Sequence, residues 1–221
     1  MPGPISDSVE SFATLIGPDP EPTLQRMQEK ADRTGFPVVG SAVGGWLRFL
    51  ARTVNAEQVF EFGSGFGFSA VWFAGGLPKH GRIVLTERDE ERLQEAREFL
   101  RTAGYADQAT FELGDALQTV KQYDGPFDCV LIDNEKKRYT AAFEAVREKM
   151  RPGGLVIADN TVTAGAIEFD ALAALVDGES RDTTSATDGI ADYLQTVQAD
   201  AGFETVLLPV GEGVAVSRRL D

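Results

Sequence analysis

From residue 57 onward the chain repeats one pattern: a short apolar run, a break, and a stretch with helical spacing. Strands alternating with helices in this way build βα units and a mainly parallel sheet. Strands are expected at Gln58 to Phe62, Arg82 to Thr86, Ala109 to Leu113, Phe127 to Ile132 and Leu155 to Ala158. Helices are expected at Phe68 to Leu77, Asp89 to Ala103, about Asp115 to Gln122, and Arg138 to Met150. Pro152 and the Gly153-Gly154 pair are expected to break the last of these before the fifth strand. The fourth and fifth runs are nearly all apolar, as in strands covered on both faces. A helix from about Ser185 to Ala201 then leads into Phe203 to Val210 and Val214 to Arg218. The turn between them holds Gly211 and Gly213, so they read as an antiparallel hairpin. The expected core is an α/β sheet of seven strands, mainly parallel and finished by a hairpin.

The residues before this core read as helices. The first 35 residues are rich in Pro, Glu and Asp and suggest short surface helices. Pro20 to Thr34 has Pro near its first turn and Gly35 beyond its end. Within Val39 to Val54, the positions Val43, Trp46, Leu47, Leu50 and Val54 lie on one stripe of a helix. These segments lack the apolar mass to stand alone. The 221 residues are read as one domain, a helical cap over 1–54 and an α/β core over 57–219. Ile167 to Ser185 is short, poor in glycine, and carries no assigned element.

The first strand runs into Glu61-Phe62-Gly63-Ser64-Gly65-Phe66-Gly67-Phe68-Ser69. A glycine turn from strand to helix lets a ligand approach the backbone closely, though a tight structural turn reads the same way. The glycine spacing is not that of the dinucleotide fingerprint, and no Walker A lysine follows. Glu87 ends the second strand about twenty residues on, where an acid can accept hydrogen bonds from both ribose hydroxyls of an adenosine. Gly114-Asp115-Ala116 ends the third strand. Asp115 can contact adenine, cap the next helix, or do both.

Two polar clusters follow the next two strands: Asp133-Asn134-Glu135-Lys136 and Asp159-Asn160. Each alone also reads as an ordinary loop. If the strands are neighbours, Asp133, Asp159 and Asn160 converge at one sheet edge. The chain has one His and one Cys, so an all-oxygen set for a hard divalent cation such as Mg²⁺ is the chemistry available. The same counts exclude a disulfide framework and a multi-His or Cys-rich metal site.

Charge narrows the partners. Asp and Glu total 35 against 21 Lys and Arg, a net of −14, which repels nucleic acid and anionic membranes. No apolar run is long enough to span a membrane. The start of the chain, with Pro2, Pro4 and Asp7, lacks the pattern of a signal peptide, so a cytoplasmic location is expected. Only Lys30, Lys79, Lys121, Lys136, Lys137 and Lys149 are lysines, and an acidic, lysine-poor, Arg-biased surface suits high salt. An acidic mesophilic protein is the alternative.

The layout and motifs resemble the cation-dependent O-methyltransferases that include caffeoyl-CoA and catechol O-methyltransferases. The resemblance spans roughly residues 38–219. It rests on Glu61-Phe62-Gly63 with Gly67 and Ser69, Gly114-Asp115-Ala116, Asp133 with Lys136, Asp159-Asn160-Thr161, and Leu208-Pro209-Val210-Gly211-Glu212-Gly213. It implies a Rossmann-like fold binding S-adenosylmethionine (SAM), a divalent cation, a small hydroxylated acceptor and a homodimer. It assigns Val39, Glu61, Gly63, Ser64, Gly67, Ser69, Glu87, Asp115, Ala116 and Asp133 to SAM. It assigns Asp133, Asp159 and Asn160 to the metal, and Lys136, with Asp133, to catalysis. Lysine takes a proton only in its neutral form, which burial and a nearby cation favour. Asn134 and Glu135 depart from the usual Asp-Ala-Asp-Lys, and Ser41 to Trp46 replaces a stretch that usually carries acids and a Gln. A metal-free SAM methyltransferase, a dinucleotide oxidoreductase, or a SAM-binding protein without turnover are the rival readings.

Overall fold

The computed structural model describes residues 5–221; Pro2 and Pro4 lie outside that range. Seven strands form one sheet: β1 (Gln58–Phe62), β2 (Arg82–Glu87), β3 (Ala109–Leu113), β4 (Phe127–Ile132), β5 (Met150–Ala158), β6 (Phe203–Leu208) and β7 (Val214–Arg219). Their order is β3-β2-β1-β4-β5-β7-β6. The first five pair in parallel, and β7 is antiparallel to both β5 and β6. The chain moves outward from β1 through β2 and β3, then crosses back to β4 on the other side. Open sheets bind ligands at such a reversal, beyond the carboxyl ends of the strands.

Helices α1 (Asp7–Ile16), α2 (Pro22–Thr34) and α3 (Gly40–Thr53) precede the sheet. Helices α4 (Phe68–Ala74), α5 (Glu90–Ala103), α6 (Ala116–Thr119) and α7 (Tyr139–Val146) follow β1 to β4. Helices α8 (Phe169–Val176) and α9 (Ser185–Ala199) lie between β5 and β6. Side chains alternate across a strand, so each sheet face has its own core. One face carries Val59, Ile83, Leu85, Leu131 and Ile157 against Leu24, Met27, Leu47 and Trp72. The other carries Phe60, Phe62, Val130 and Ile132 against Tyr139, Phe143 and Tyr193. Glu61 lies between Phe60 and Phe62, and so points toward the α4 face.

Several expectations from the sequence are corrected. The helix expected to run to Met150 ends at Val146, and β5 begins at Met150, five residues before Leu155. Met150 pairs with Phe127, and the register shifts before Cys129. Gly153, at φ 76°, makes this a bulge that carries Pro152 and Gly154 inside the strand instead of breaking it. Helix α2 is not a surface helix alone, because Leu24, Met27 and Ala31 are buried in the core. Helix α8 occupies the segment left without an element. Helix α4 stops at Ala74 instead of Leu77, and β6 at Leu208 instead of Val210.

Candidate active site

The turn after β1 is held open by glycine. Gly63, Gly65 and Gly67 have φ of 84°, 51° and 86°, a region that residues with a Cβ rarely adopt. A Cβ on Gly63 would also strike the Asp133 carbonyl, so β1 and β4 end side by side only because residue 63 has none. The turn is tied to β2. The Ser64 N–H donates to the Thr86 carbonyl at 2.9 Å, and the Gly65 N–H donates to Glu87 Oε2 at 2.9 Å. Glu87 Oε1 accepts from the Arg88 and Asp89 N–H groups at 2.8 and 3.0 Å. The acid expected to face a ribose is therefore fixed by three backbone donors.

Glu61 lies behind the turn, fully buried. The Ser69 hydroxyl donates to its Oε1, while Oε2 has no partner among the described residues. Burial pushes the Glu61 carboxyl up to about 8, with Asp133 and Glu87 adding repulsion and the Ser69 bond opposing it. Asp115 caps α6, accepting from the Leu117 N–H at 2.9 Å. Its carboxylate also takes Arg88 at 2.8 Å and Arg138 at 2.8 Å on each oxygen, and Arg88 reaches on to Glu135 at 2.7 Å. These ion pairs tie together the loops after β2, β3 and β4.

The two polar clusters converge, as neighbouring β4 and β5 require. The Asn160 N–H donates to Asp159 Oδ1 at 2.8 Å. Lys136 Nζ donates to Asn160 Oδ1 at 2.6 Å and to the Tyr139 hydroxyl at 2.7 Å, and lies 3.6 Å from Asp133 Oδ1. The Tyr139 hydroxyl donates to the Asp159 carbonyl at 3.0 Å. Asn160 Nδ2 donates to Glu212 Oε2 at 2.8 Å. Burial, and then repulsion from Asp133, raises the Asp159 carboxyl. Burial also raises Asp133, against the pull of Lys136, although its side chain keeps 30% exposure. Two aspartates that resist ionisation beside a neutral amide oxygen form a site that a hard cation would relieve. Among the described residues no three of His, Cys, Asp and Glu are grouped for a metal. The candidate set falls outside such a grouping because its third donor is an amide.

One cavity of about 670 Å³ joins the two ends. It is lined by Val39, Gly63, Ser64, Ser69, Glu87 and Ala116 at one end, and by Asp133, Lys136, Asp159, Asn160 and Glu212 at the other. Glu61, Gly67 and Asp115 are not on its wall; they support residues that are. Tyr139 and Arg88 were not singled out from the sequence, and Glu212 entered only as part of the Leu208 to Gly213 motif, with no site role. Tyr139 sits one helical step after Lys136, which is a usable signal, whereas Glu212 and Arg88 meet their partners only through the folded sheet. Gly189 on α9 is a second close approach, since a Cβ there would lie 2.6 Å from Lys137 Cα and 2.8 Å from the Lys136 carbonyl.

A glycine turn, an acid at the end of β2 tied to that turn, and a polar cluster along one carboxyl edge are the layout of a SAM-dependent methyltransferase fold. The O-methyltransferase family model matches residues 20–220. The chain belongs to this family and is a SAM-dependent O-methyltransferase of the catechol and caffeoyl-CoA type. It is 33% identical over 181 residues to a catechol O-methyltransferase of Mycobacterium tuberculosis, covering 77% of this chain and 81% of the relative. It is 26% identical over 210 residues to caffeoyl-CoA O-methyltransferase 1 of Eucalyptus globulus, covering 92% and 83%. The O-methyltransferase of Bacillus cereus in complex with SAH superposes with a TM-score of 0.81 at 25% identity, over 96% of this chain and 97% of that one. No helix among the described residues is long and apolar enough to cross a membrane.

Proposed function

We propose that the enzyme methylates a hydroxyl of a small, catechol-like acceptor with the help of a divalent cation, Mg²⁺ in the first instance. One observation carries this reading: Asp133, Asp159 and the Asn160 carbonyl oxygen gather around Lys136 in a cavity that also reaches Glu87.

In this reading Glu87 holds the ribose, Ala116 meets the adenine while Asp115 fixes the turn before it, and Val39, Gly63, Ser64, Ser69 and Asp133 surround the methionine end. Glu61 and Gly67 support the turn that does so. Asp133, Asp159 and Asn160 hold the cation, whose chemistry is to draw vicinal oxygens together and make a hydroxyl more acidic. Lys136 Nζ is the group placed to receive the hydroxyl proton. Tyr139 fixes Nζ in place and is anchored by the Asp159 carbonyl. Val39, Phe66 and Phe68 supply the apolar wall at this end of the cavity. The rival reading is a metal-free methyltransferase acting on another oxygen or nitrogen, favoured by the fact that Lys136 already satisfies Asn160 Oδ1.

The reading also includes a homodimer, a cytoplasmic location and a salt-adapted surface. Phe12 and Ile16 on α1 and Trp46 and Phe49 on α3 are exposed apolar side chains that favour a second copy. Calorimetry separates the roles. Asp159→Asn is expected to weaken Mg²⁺ binding and turnover while SAH affinity persists, and Lys136→Ala to lower turnover with Mg²⁺ affinity kept or raised. An Asp159→Asn enzyme with unchanged cation affinity and rate would remove the metal role.

A further inference from the structure

The two ends of the Asn160 side chain are not equivalent toward a cation. Its carbonyl oxygen can be a ligand and its NH₂ group cannot. The structure contains a device that decides which end faces the site. Asn160 has φ 54°, a left-handed conformation that Asn tolerates better than most residues with a Cβ. Its Nδ2 donates to Glu212 at 2.8 Å, and its Oδ1 accepts from Lys136 at 2.6 Å. A carboxylate only accepts and an ammonium only donates, so this is the one amide orientation that satisfies both partners. Glu212 cannot drift away from this task. Its own carbonyl accepts from the Val162 and Thr163 N–H groups at 2.9 Å each. The Gly213 carbonyl accepts from the Thr161 N–H at 2.9 Å and from the Thr161 hydroxyl at 3.0 Å. The turn of the β6–β7 hairpin is thus bound to the same loop that carries Asn160.

We propose that Glu212 is a positioning residue, whose carboxylate holds the Asn160 amide with its oxygen turned toward Asp133 and Asp159. This rests on the reading that those three residues hold a divalent cation. Without an acceptor at position 212 only Lys136 holds the amide, and the Nδ2 group loses the partner that keeps it turned away from the ion. Groups that orient a metal ligand in this way typically change metal affinity by about 10–100-fold. A carboxylate could also act simply by adding negative charge, and a glutamine separates the two roles. Gln keeps an oxygen to accept from Nδ2 but has no charge.

The test titrates the full-length wild type, Glu212→Ala and Glu212→Gln with Mn²⁺ by calorimetry in the presence of SAH. SAH affinity serves as the check that each variant is folded. Glu212→Ala is expected to weaken Mn²⁺ about tenfold or more, and Glu212→Gln to stay within about threefold of wild type. In an Asn160→Asp background, where both side-chain ends are oxygen, Glu212→Ala is expected to lose its effect. Equal losses in Glu212→Ala and Glu212→Gln, no loss in either, or a full Glu212→Ala effect retained with Asp at 160 would each overturn the positioning role. A wild type that takes up no Mn²⁺ would instead bring down the cation reading itself, and this role with it.

Discussion

Replacing Glu61 by Gln tests whether the buried acid behind the glycine turn is neutral in the working protein. Burial raises its carboxyl from an ordinary 4.5 to about 8. A carboxyl raised on folding stabilises the native state fully below its unfolded value, and that contribution is lost as pH rises toward the folded value. Between pH 5 and pH 7 the ionisable Glu61 should therefore cost the native state roughly 3 kcal/mol, at 1.36 kcal/mol for each pH unit. Glu61→Gln cannot ionise. It keeps an oxygen to accept the Ser69 hydroxyl and places N–H groups where Oε2 has no partner, which costs about 1–3 kcal/mol at every pH.

The assay is thermal unfolding of both proteins at pH 5, 6 and 7. Asp133, Asp159 and Glu212 also carry raised carboxyls, so each protein alone will lose stability with pH. Those slopes cancel in the difference between the two proteins. The difference should move in favour of Glu61→Gln by roughly 3 kcal/mol between pH 5 and 7, or about 6–12 °C in Tm for a chain of this size. A difference that stays constant with pH would refute the reasoning, because it would mean that Glu61 is already ionised in the folded protein at pH 5, as it is in the unfolded chain.

Glu87→Ala removes the expected ribose acceptor and the partner of three backbone N–H groups; SAH binding should weaken by roughly 1–3 kcal/mol, and an unchanged calorimetric affinity would refute the assignment. Raising monovalent salt from low to molar levels should raise Tm, because screening relieves repulsion in a chain of net charge −14. A flat or falling Tm would end the salt-adapted reading and leave the enzyme reading untouched.

The alternation of runs from residue 57 made the seven strands legible: the central strands are short, largely apolar segments, whereas the edge strands β3 and β6 are mostly exposed or half-buried and were marked by their place in the alternation. What misled was local punctuation. Pro152-Gly153-Gly154 normally ends a helix, but here pairing with β4 draws those residues into β5 as a bulge. The apolar Phe169–Val176 became α8 although nothing in its sequence marks where it starts. Asp133, Asp159 and Asn160 were legible because each directly follows an apolar run, and strand ends at one sheet edge meet. Glu212 was not legible as a partner of Asn160. The two are 52 residues apart and meet only because β7 pairs with β5 in antiparallel register. Asp115 was open between capping and ligand contact, and the structure shows the cap together with the ion pairs to Arg88 and Arg138.

The central claim is that a cation held by Asp133, Asp159 and Asn160 takes part in methyl transfer. The most direct measurement is the rate of methyl transfer from SAM to a catechol, first after chelation and then with Mg²⁺ restored. The account expects the rate to fall to near background in chelator and to return with Mg²⁺, but not with monovalent salt of equal ionic strength. An active enzyme that keeps its full rate in chelator would contradict it.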